Sequence, residues 1–434
     1  MQIRMAYGRD GLALNLPADA PVTVIEPRFV PGLPDEQASI TQALRSPTGT
    51  EPLARLAGSR DSIAIVFSDL TRPMPNERVL PPLLDELALA GVSQDRIVMI
   101  NGLGTHRPQT DHELRGMLGD EIVDSCRIVQ HDAWSDDLVP VSRNRSGNLA
   151  RINRAYAEAS VRILTGFIEP HLFAGFSGGP KAVLPGIADI DAIMDNHSGA
   201  MLADPNATWA RTESNEDGWG ANPLWEEMLA VARATDPTFL LNVTLNQRRH
   251  ITGVFCGDLL AAHREGVAFA RGTALQPVAH PFDIVITSNS GYPLDLNLYQ
   301  AVKGMSAAAQ IVRPGGDIVV AAQCWDGIPN HGEYRSMLWE ASSARELWET
   351  VTAPTFRRHD QWEALIHARV LLKANVHLYA DGLSDEDIRR ALLIPCRSIE
   401  ETVDRLRRKN PVATIALLPD GPQTVPYLTK DDGR

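Results

Sequence analysis

The amino-acid sequence predicts an α/β protein built from two α/β domains with an active-site cleft between them. Short apolar runs rich in β-branched residues are each followed by a polar turn, which is typical of parallel strands buried on both faces. Helix start signals fall between these runs, so strands and helices alternate along the chain. The chain has 434 residues and is 44% hydrophobic, which is enough for two domains with their own cores.

The first half of the chain supplies three predicted strands, at residues 62–67, 96–100 and 161–166. Thr110 and Glu113 have the spacing of a capping box, which predicts a helix start between the second and third strands. The dipeptide Pro81-Pro82 is predicted to open a helix that Gly91 closes. Each strand is thus followed by a loop and a helix.

The second half repeats this order, with predicted strands at residues 283–287, 317–321 and, as the last strand, 414–417. Ser384 and Ser398 are predicted helix N-caps. The stretch 270–283 has no clear periodicity and contains two prolines, so we place a domain boundary there. The predicted domains are residues 1–272 and residues 273–434.

Composition excludes several classes of protein. The formal net charge of −13 argues against a nucleic-acid partner, because phosphate backbones are bound by basic surfaces. The four cysteines are scattered without a CxxC pair, so we expect reduced thiols rather than a disulfide framework or a zinc ribbon. No apolar run is long enough for a membrane span or a signal peptide, and we expect a cytoplasmic protein.

Side chains that can do chemistry follow three successive predicted strands. Asp69, Thr71 and Arg72 follow the first, His106 the second and His171 the third. In open α/β sheets, ligands bind beyond the carboxyl ends of the strands. An acid, a cation and two imidazoles at such strand ends predict a site there.

A glycine-rich loop follows the third strand. The turn Ser177-Gly178-Gly179 could bring backbone N–H groups close to an anion. Lys181 lies between a proline and an apolar run, which predicts a partly desolvated amine that can act as a nucleophile. Ala182 stands where a nucleoside-triphosphatase loop needs serine or threonine, which disfavours that class.

A further histidine, His197, could be a metal ligand, but one imidazole binds nickel or zinc weakly. The sequence has no HExxH or other dense cluster of ligands to complete such a site. A bound metal would therefore need most of its ligands from something other than side chains.

Five motifs then make a resemblance specific. They are DLTRPMP at 69–75, GTHRPQT at 104–110, EPHLFAGFSGGPKAVLPG at 169–186, NHS at 196–198 and LYQAVKG at 298–304. In order and spacing they resemble the lactate racemase family, strongly over residues 60–305 and more loosely beyond. That family uses a nickel-pincer nucleotide, which its members obtain through cofactor maturation proteins.

The resemblance implies the cofactor site. Lys181 would carry pyridinium-3,5-bisthiocarboxylic acid mononucleotide nickel through a thioamide, with two sulfur atoms and a ring carbon of the cofactor holding the metal. His197 would be the protein's own ligand to nickel. The residues expected around the phosphate and ribose are Asp69, Thr71, Ser177, Gly178 and Gly179.

The resemblance also implies racemisation or epimerisation of a 2-hydroxy acid, by hydride transfer through a 2-keto acid. The C2 hydrogen is barely acidic because the adjacent carboxylate is already negative. Its loss as hydride, while a base takes the hydroxyl proton, avoids a dianion. His106 and His171 resemble the acid/base pair of the family. The residues expected to bind the substrate are Arg72, Tyr299, Gln300 and Lys303.

In this interpretation residues 1–272 bind the cofactor and carry the catalytic histidines, and residues 273–434 close over the substrate. The substrate side chain stays open among lactate, malate, an aryl-lactate and a sugar acid. A loop or lid insertion at residues 204–222, with Trp209, Arg211 and Trp219, could enlarge or cap the pocket.

Three points stay open at this stage. Trp362 is either an aromatic residue of the substrate wall or an ordinary helix tryptophan, and Arg107 either contacts a ligand or supports its loop. The alternative function is a non-catalytic protein that binds or carries the pincer nucleotide. A nicotinamide-dependent dehydrogenase is disfavoured because no GxGxxG follows a strand.

Overall fold

The computed structural model describes residues 2–17, 21–213, 221–330 and 332–429. The strands in chain order are β1 (Gln2–Met5), β2 (Leu12–Asn15), β3 (Val22–Val24), β4 (Ile63–Ser68), β5 (Ile97–Gly102), β6 (Arg127–Gln130), β7 (Leu138–Arg143), β8 (Leu149–Asn153), β9 (Val161–Phe167), β10 (Pro170–His171), β11 (Gly175–Phe176), β12 (Phe239–Leu245), β13 (Ile251–Gly257), β14 (Leu275–Val278), β15 (Phe282–Ser288), β16 (Val312–Ala321), β17 (Asn375–Tyr379), β18 (Ile394–Pro395), β19 (Ile415–Leu418) and β20 (Val425–Leu428).

The α-helices are α1 (Glu36–Arg45), α2 (Leu53–Leu56), α3 (Asn76–Leu89), α4 (Asp111–Leu118), α5 (Asp120–Ser125), α6 (Arg154–Ala157), α7 (Ile190–Asn196), α8 (Gly199–Ala203), α9 (Pro223–Ala234), α10 (Leu259–Ala274), α11 (Leu298–Ala308), α12 (Tyr334–Glu340), α13 (Ala344–Val351), α14 (Gln361–Lys373), α15 (Asp385–Arg390) and α16 (Ile399–Lys409). Strands and helices alternate, as the sequence predicts. The predicted α/β class is confirmed.

The N-terminal unit consists of Phe29–Asn196 and Asn206–Thr273. Its sheet has the order β13-β12-β9-β4-β5-β6, and every neighbouring pair except β12 and β13 is parallel. The central strand β4 is almost wholly buried because its run of apolar residues packs on both faces. All three strands predicted from the first half of the chain are present, as β4, β5 and β9.

Helix α3 corrects one prediction about where a helix begins. It starts at Asn76 and contains Pro81 and Pro82, which the sequence analysis placed at its start. A proline inside a helix removes a backbone donor and costs about 3 kcal/mol. The buried side chains of Val79 and Leu83 lie on either side of the prolines, so packing against the core continues the helix across them.

The C-terminal unit consists of Met1–Arg28, His197–Pro205 and Ala274–Arg434. Its sheet has the order β18-β17-β16-β15-β19-β3, and all of its neighbouring pairs are parallel. One change of unit falls between Thr273 and Ala274, but Met1–Arg28 and His197–Pro205 group with the later part of the chain. The two predicted domains and their roles stay predictions.

Several local predictions for the C-terminal unit are confirmed and one is wrong. Ser384 and Ser398 cap α15 and α16 through their side chains, as expected. The predicted last strand is β19, but β20 follows it and pairs with β14. The strand β14 was not predicted, because it lies directly after α10 in the stretch 270–283 that shows no periodicity.

All four cysteines are buried and none forms a disulfide. Among the residues that the structure describes, no helix is both long and apolar enough to cross a membrane.

Candidate active site

Three neighbouring strands of the N-terminal sheet, β9, β4 and β5, end at the same edge because they are parallel. Asp69 follows β4, His106 lies in the loop after β5, and His171 lies in the loop after β9. The strand order runs outward from β4 to β5 and β6 on one side and to β9 and β12 on the other. Such a reversal of strand order forms the crevice in which open α/β sheets bind ligands.

Asp69 and His106 form a close pair. The Nδ1 atom of His106 lies 2.7 Å from a carboxylate oxygen of Asp69. A carboxylate can only accept, so Nδ1 donates, and in the neutral ring the second nitrogen, Nε2, carries the lone pair. The Thr71 hydroxyl donates to the same carboxylate at 2.9 Å. The Asp69 side chain is 3% exposed and the His106 ring 34% exposed, so the ring is the member of the pair that solvent or a ligand can reach.

The buried Asp69 carboxylate stays ionised. Burial raises its pKa, but the His106 imidazole, the Arg72 guanidinium and the Thr71 hydroxyl together lower it by more. The net result is a pKa below the ordinary value of 3.8. The sequence analysis assigned Asp69 and Thr71 to the cofactor. The structure bonds both to the histidine loop, and their contact with a cofactor stays a prediction.

His171 lies on a short hairpin formed by β10 and β11. Its Nδ1 atom accepts a 3.3 Å hydrogen bond from the backbone N–H of Ala174, and its ring meets the Phe173 ring edge-on at 4.6 Å. The Nζ atom of Lys181 lies 5.9 Å from the centre of the same Phe173 ring. The Phe173 ring thus lies beside both His171, a predicted catalytic residue, and Lys181, the predicted attachment point of the cofactor.

The insertion at residues 204–222 supports this hairpin in the part that the structure describes. The backbone N–H of Ala210 donates to the carbonyl of Gly175 at 3.0 Å. A Cβ added to Gly175 would lie 1.8 Å from the carbonyl oxygen of Arg211. The segment therefore packs directly on the hairpin that carries His171. Trp219 lies outside the described residues.

The polar groups of the turn before Lys181 bond within the protein. The Ser177 hydroxyl donates to the carbonyl of Phe167 at 2.8 Å and accepts the backbone N–H of Glu169 at 2.9 Å. The N–H of Gly179 donates to the side chain of Asn242 at 2.8 Å. These bonds give the turn a structural role. The predicted contact of Ser177, Gly178 and Gly179 with the cofactor stays a prediction.

Arg107, the residue after His106, supports the loop that carries this histidine. Both ends of its guanidinium donate to Glu113, at 2.8 and 2.6 Å. Glu113 also completes the predicted capping box with Thr110 at the start of α4. Its pKa is lowered to about 2, chiefly by the hydrogen bond from Arg107. Of the two roles left open for Arg107, the structure shows the supporting one.

His197 lies between α7 and α8 and belongs to the C-terminal unit. Its side chain is 4% exposed, and its ring meets the indole of Trp362 edge-on at 5.2 Å. Its backbone carbonyl accepts a 3.2 Å hydrogen bond from the buried side-chain amide of Gln361. Ser198 caps α8, so the histidine is fixed at the start of a helix. This imidazole is therefore held in a defined place by α14.

The predicted substrate residues Tyr299, Gln300 and Lys303 lie on the first turns of α11, where all three are half-buried. The indole N–H of Trp362 donates to the Tyr299 hydroxyl at 2.7 Å. Trp362 is therefore a buried helix tryptophan that contacts two predicted site residues, Tyr299 and His197, and its place in a substrate wall stays a prediction.

Glu363, which the sequence analysis missed, lies next to Trp362 and is 3% exposed. Burial raises its pKa to about 8, against the opposing effect of the Lys303 charge. The sequence signal was present, since a carboxylate stands in the otherwise apolar run WEALI. Asn242 and His263, likewise missed, are polar residues in apolar segments, FLLNVTL and LLAAH. A polar residue inside such a run is a usable signal for a buried hydrogen bond.

The side chains that the structure describes suit a metal whose ligands come mostly from a bound cofactor rather than from the protein. Within the described ranges, no group of three His, Cys, Asp or Glu side chains could hold a metal ion. What the chain offers instead is a half-buried amine at Lys181 and a fixed, buried imidazole at His197. An amine for attachment and an imidazole for the metal are each of the kind that a nucleotide with its own sulfur and carbon ligands needs, and their service to one cofactor stays a prediction.

Comparison with known proteins decides the family. Residues 7–210 match the lactate racemase N-terminal domain, and residues 278–425 match the lactate racemase C-terminal domain. The chain belongs to the lactate racemase family. A lactate racemase of Thermoanaerobacterium thermosaccharolyticum is 34% identical over 433 residues, covering 96% of this chain and 97% of that protein. One of Lactiplantibacillus plantarum is 36% identical over 390 residues, covering 89% and 90%.

Solved structures agree with this membership. The lactate racemase apoprotein of Thermoanaerobacterium thermosaccharolyticum superposes with a TM-score of 0.88 at 32% identity, over 98% of this chain and 100% of that one. A Thermotoga maritima protein superposes with a TM-score of 0.68 at 16% identity, over 92% and 100%, which is a likeness of fold alone. The resemblance inferred from the five motifs is confirmed, and so is the enzyme class, an isomerase of the racemase type.

Proposed function

We propose that the chain interconverts the enantiomers of a 2-hydroxy carboxylate, lactate or a larger relative, through a planar 2-keto acid. The observation that carries this proposal is the hydrogen-bonded Asp69–His106 pair at the same sheet edge as a second imidazole, His171. Two imidazoles suit a reaction in which the hydroxyl group of each enantiomer needs its own base. The relatives named lactate racemase support the same reaction.

When bound, a nickel-pincer nucleotide would supply the acceptor for the C2 hydrogen and its electron pair. Lys181 would hold it through a thioamide, and His197 would be the protein's ligand to nickel. The first side chain contributes a half-buried amine and the second a buried imidazole.

His106 takes the hydroxyl proton in one direction of the reaction. Because Nδ1 donates to Asp69, the lone pair on Nε2 accepts the proton as the C2–H bond breaks. The ring then becomes an imidazolium, whose charge the ionised Asp69 balances. A carbonyl forms at C2, and the organic product is a keto acid with a single negative charge.

His171 serves the opposite enantiomer. Its Nδ1 atom accepts the Ala174 N–H, so the neutral ring carries its proton on Nε2. A neutral ring with its proton on Nε2 can donate a hydrogen bond to the substrate oxygen but cannot take a proton there. To protonate the keto oxygen and form the opposite enantiomer, His171 starts as an imidazolium, with a proton on each nitrogen, and returns to the neutral ring. The proton on Nδ1 displaces the long 3.3 Å hydrogen bond from Ala174, and the reverse step makes Nε2 the base for that enantiomer.

The remaining side chains recognise what all 2-hydroxy acids share. Arg72 supplies a guanidinium beside Asp69, and Gln300 and Lys303 lie one turn of α11 apart. A guanidinium and an ammonium suit a carboxylate, and an amide suits a hydroxyl group. These residues do not distinguish lactate from malate, an aryl-lactate or a sugar acid.

The test uses protein matured in a host that makes the cofactor. Each enantiomer of these acids is incubated with it, and interconversion is followed by chiral chromatography. With C2-deuterated substrate in ordinary water, hydride transfer predicts that the product enantiomer keeps its deuterium. Lys181→Ala, matured in the same way, is the control and should be inactive.

Two outcomes contradict the proposal. If no acid is interconverted while Lys181 carries the nucleotide, a protein that only carries the cofactor is favoured. If interconversion proceeds with loss of deuterium to water, the C2 hydrogen leaves as a proton and the hydride step is wrong.

A further inference from the structure

The turn that leads into Lys181 is held from two sides by buried side chains of other elements. On β12, the Asn242 side chain accepts the backbone N–H of Gly179 at 2.8 Å. On α10, the Nε2 atom of His263 lies 3.0 Å from the carbonyl oxygen of Ser177. Asn242 is fully buried and His263 is 1% exposed. Neither residue belongs to the motifs that identified the site.

The His263 ring is a fixed hydrogen-bond donor. Its partner is a carbonyl oxygen, which only accepts, so the proton of the neutral ring is on Nε2. Burial lowers the pKa of His263 to about 4, so the ring stays neutral around pH 7. The ring also stacks on the indole of Trp225, with the planes 19° apart. Its orientation is thus set by packing as well as by the hydrogen bond.

These two side chains lie so close to the turn that only glycine fits there. A Cβ on Gly178 would lie 2.5 Å from the Asn242 oxygen, and a Cβ on Gly179 would lie 2.6 Å from the His263 ring. Both glycines also have positive φ, +74° and +52°. The fold itself therefore requires the two glycines before Lys181, because a larger residue at either position would collide with Asn242 or His263.

The position of the turn decides the position of the lysine. Lys181 lies in the 3-10 turn Gly179–Ala182, and its backbone N–H donates to the Gly178 carbonyl at 3.2 Å. A shift of the Gly179 backbone is therefore passed on to Lys181 within two residues.

We propose that Asn242 and His263 are positioning residues that hold the ε-amino group of Lys181 where the cofactor is attached. This inference rests on the proposed function. In the attachment, the lysine nitrogen bonds to the thiocarboxyl carbon of the nucleotide with loss of water, a condensation without oxidation or reduction. The clamp acts on the backbone and has no part in the hydride step.

The test measures attachment rather than turnover. Wild type, His263→Leu, His263→Gln, Asn242→Leu and Asn242→Ser are each matured in the cofactor-producing host. The fraction of folded chain that carries the nucleotide on Lys181 is read by intact-protein and peptide mass spectrometry. His131→Leu is the matched control, because His131 is also buried and bonds a backbone carbonyl, that of Ala188 at 2.9 Å, outside the turn.

We expect both leucine variants to lower the modified fraction by about tenfold, the usual scale for loss of a supporting hydrogen bond at a cofactor site. His263→Gln should restore most of it, because an amide N–H can donate to the Ser177 carbonyl. His131→Leu should lower thermal stability without lowering the modified fraction. Asn242→Ser is the substitute if Asn242→Leu does not fold. A serine side chain fits the space but is too short to accept the Gly179 N–H, so the modified fraction should fall here as well.

Equal modification of wild type and the folded position-242 and position-263 variants would overturn the clamp, since both side chains would then be merely structural. An unmodified wild type would overturn the cofactor assignment itself, and the clamp with it. The proposed function and this inference therefore fail in different, recognisable ways.

Discussion

At the scale of single residues, a buried carboxylate sets the hydrogen bonding of His106, the first of the two histidines that we propose as catalytic. Asp69 accepts from Nδ1 of His106, which directs the lone pair of the ring to Nε2. The sequence placed both residues at strand ends but assigned Asp69 to the nucleotide. The pairing depends on the loops of two strands meeting in space, which no local pattern reports.

Asp69→Asn should reduce the racemisation rate by roughly 10²–10⁴-fold, because the imidazolium formed on His106 loses its counter-charge and the ring its fixed tautomer. Thr71→Val, which removes one donor to the carboxylate, should have a much smaller effect. Both are checked by initial rates of matured enzyme, with the modified fraction at Lys181 measured alongside. A variant with normal rates per modified chain, but little modification, would show that Asp69 serves the cofactor instead.

Glu363 gives a residue-scale prediction about stability and pH. Its pKa is raised by burial from 4.5 to about 8, so the folded chain keeps a proton that the unfolded chain releases above its ordinary pKa. The unfolding free energy should therefore fall as pH rises between these values. Glu363→Gln removes this pH dependence. As pH rises, the unfolding free energy of the variant should therefore increase relative to that of wild type, by up to roughly 1.4 kcal/mol per pH unit.

The measurement is the urea unfolding midpoint at pH 5, 6.5 and 8. The exposed Glu349→Gln variant serves as the control and should follow wild type. Parallel curves for wild type and Glu363→Gln over this range would mean that the buried carboxyl is ionised throughout.

At the scale of elements, the hairpin of β10 and β11 shows how a backbone contact supports the residue His171, which we propose as catalytic. Gly175, with φ of +79°, lies against the Arg211 carbonyl, and the insertion bonds to it through Ala210. The sequence motif around His171 is local, yet its support comes from a segment some 40 residues later. The insertion therefore supports the hairpin that carries His171, and its part in shaping a pocket stays a prediction.

Gly175→Ala should lower stability by roughly 2–4 kcal/mol, since the new Cβ meets backbone in addition to the left-handed φ. Gly147→Ala is the matched control, because Gly147 has φ of +84° but nothing near its Cβ position. It should cost about 1 kcal/mol. Thermal unfolding of the two variants checks this. Equal losses of stability would mean that the backbone around Arg211 moves aside to make room for the new methyl group.

At the scale of the whole molecule, the first 28 residues belong to the unit formed mainly by the end of the chain. β3 lies at one edge of the C-terminal sheet beside β19, and the Tyr7 hydroxyl donates to Asp381 at 2.7 Å. Met5, Leu14 and Leu16 are buried in the same core. Because Met1–Arg28 and Ala274–Arg434 belong to the same unit, a single cut cannot divide the chain into its two units.

Removal of residues 1–28 from the full chain should therefore destabilise the C-terminal unit severely. Each buried side chain that is lost contributes roughly 1.5–3 kcal/mol, and the edge of β19 becomes unpaired. Tyr7→Phe, which removes only a hydroxyl, should cost about 1 kcal/mol. Calorimetry of the three proteins checks this order. An unchanged melting profile for the truncated chain would show that the segment adds nothing to the unit.

The sequence by itself determined the α/β class, the strand ends that carry Asp69, His106 and His171, and the five motifs that led to the family. These features are local, because hydrophobic periodicity, caps and motif spacing depend on neighbouring residues. The tertiary structure alone decided which polar groups meet: His106 with Asp69, the turn before Lys181 with Asn242 and His263, and Trp362 with Tyr299. The physical reason is that a buried hydrogen bond joins groups far apart in the chain, and only the packed fold brings them within reach.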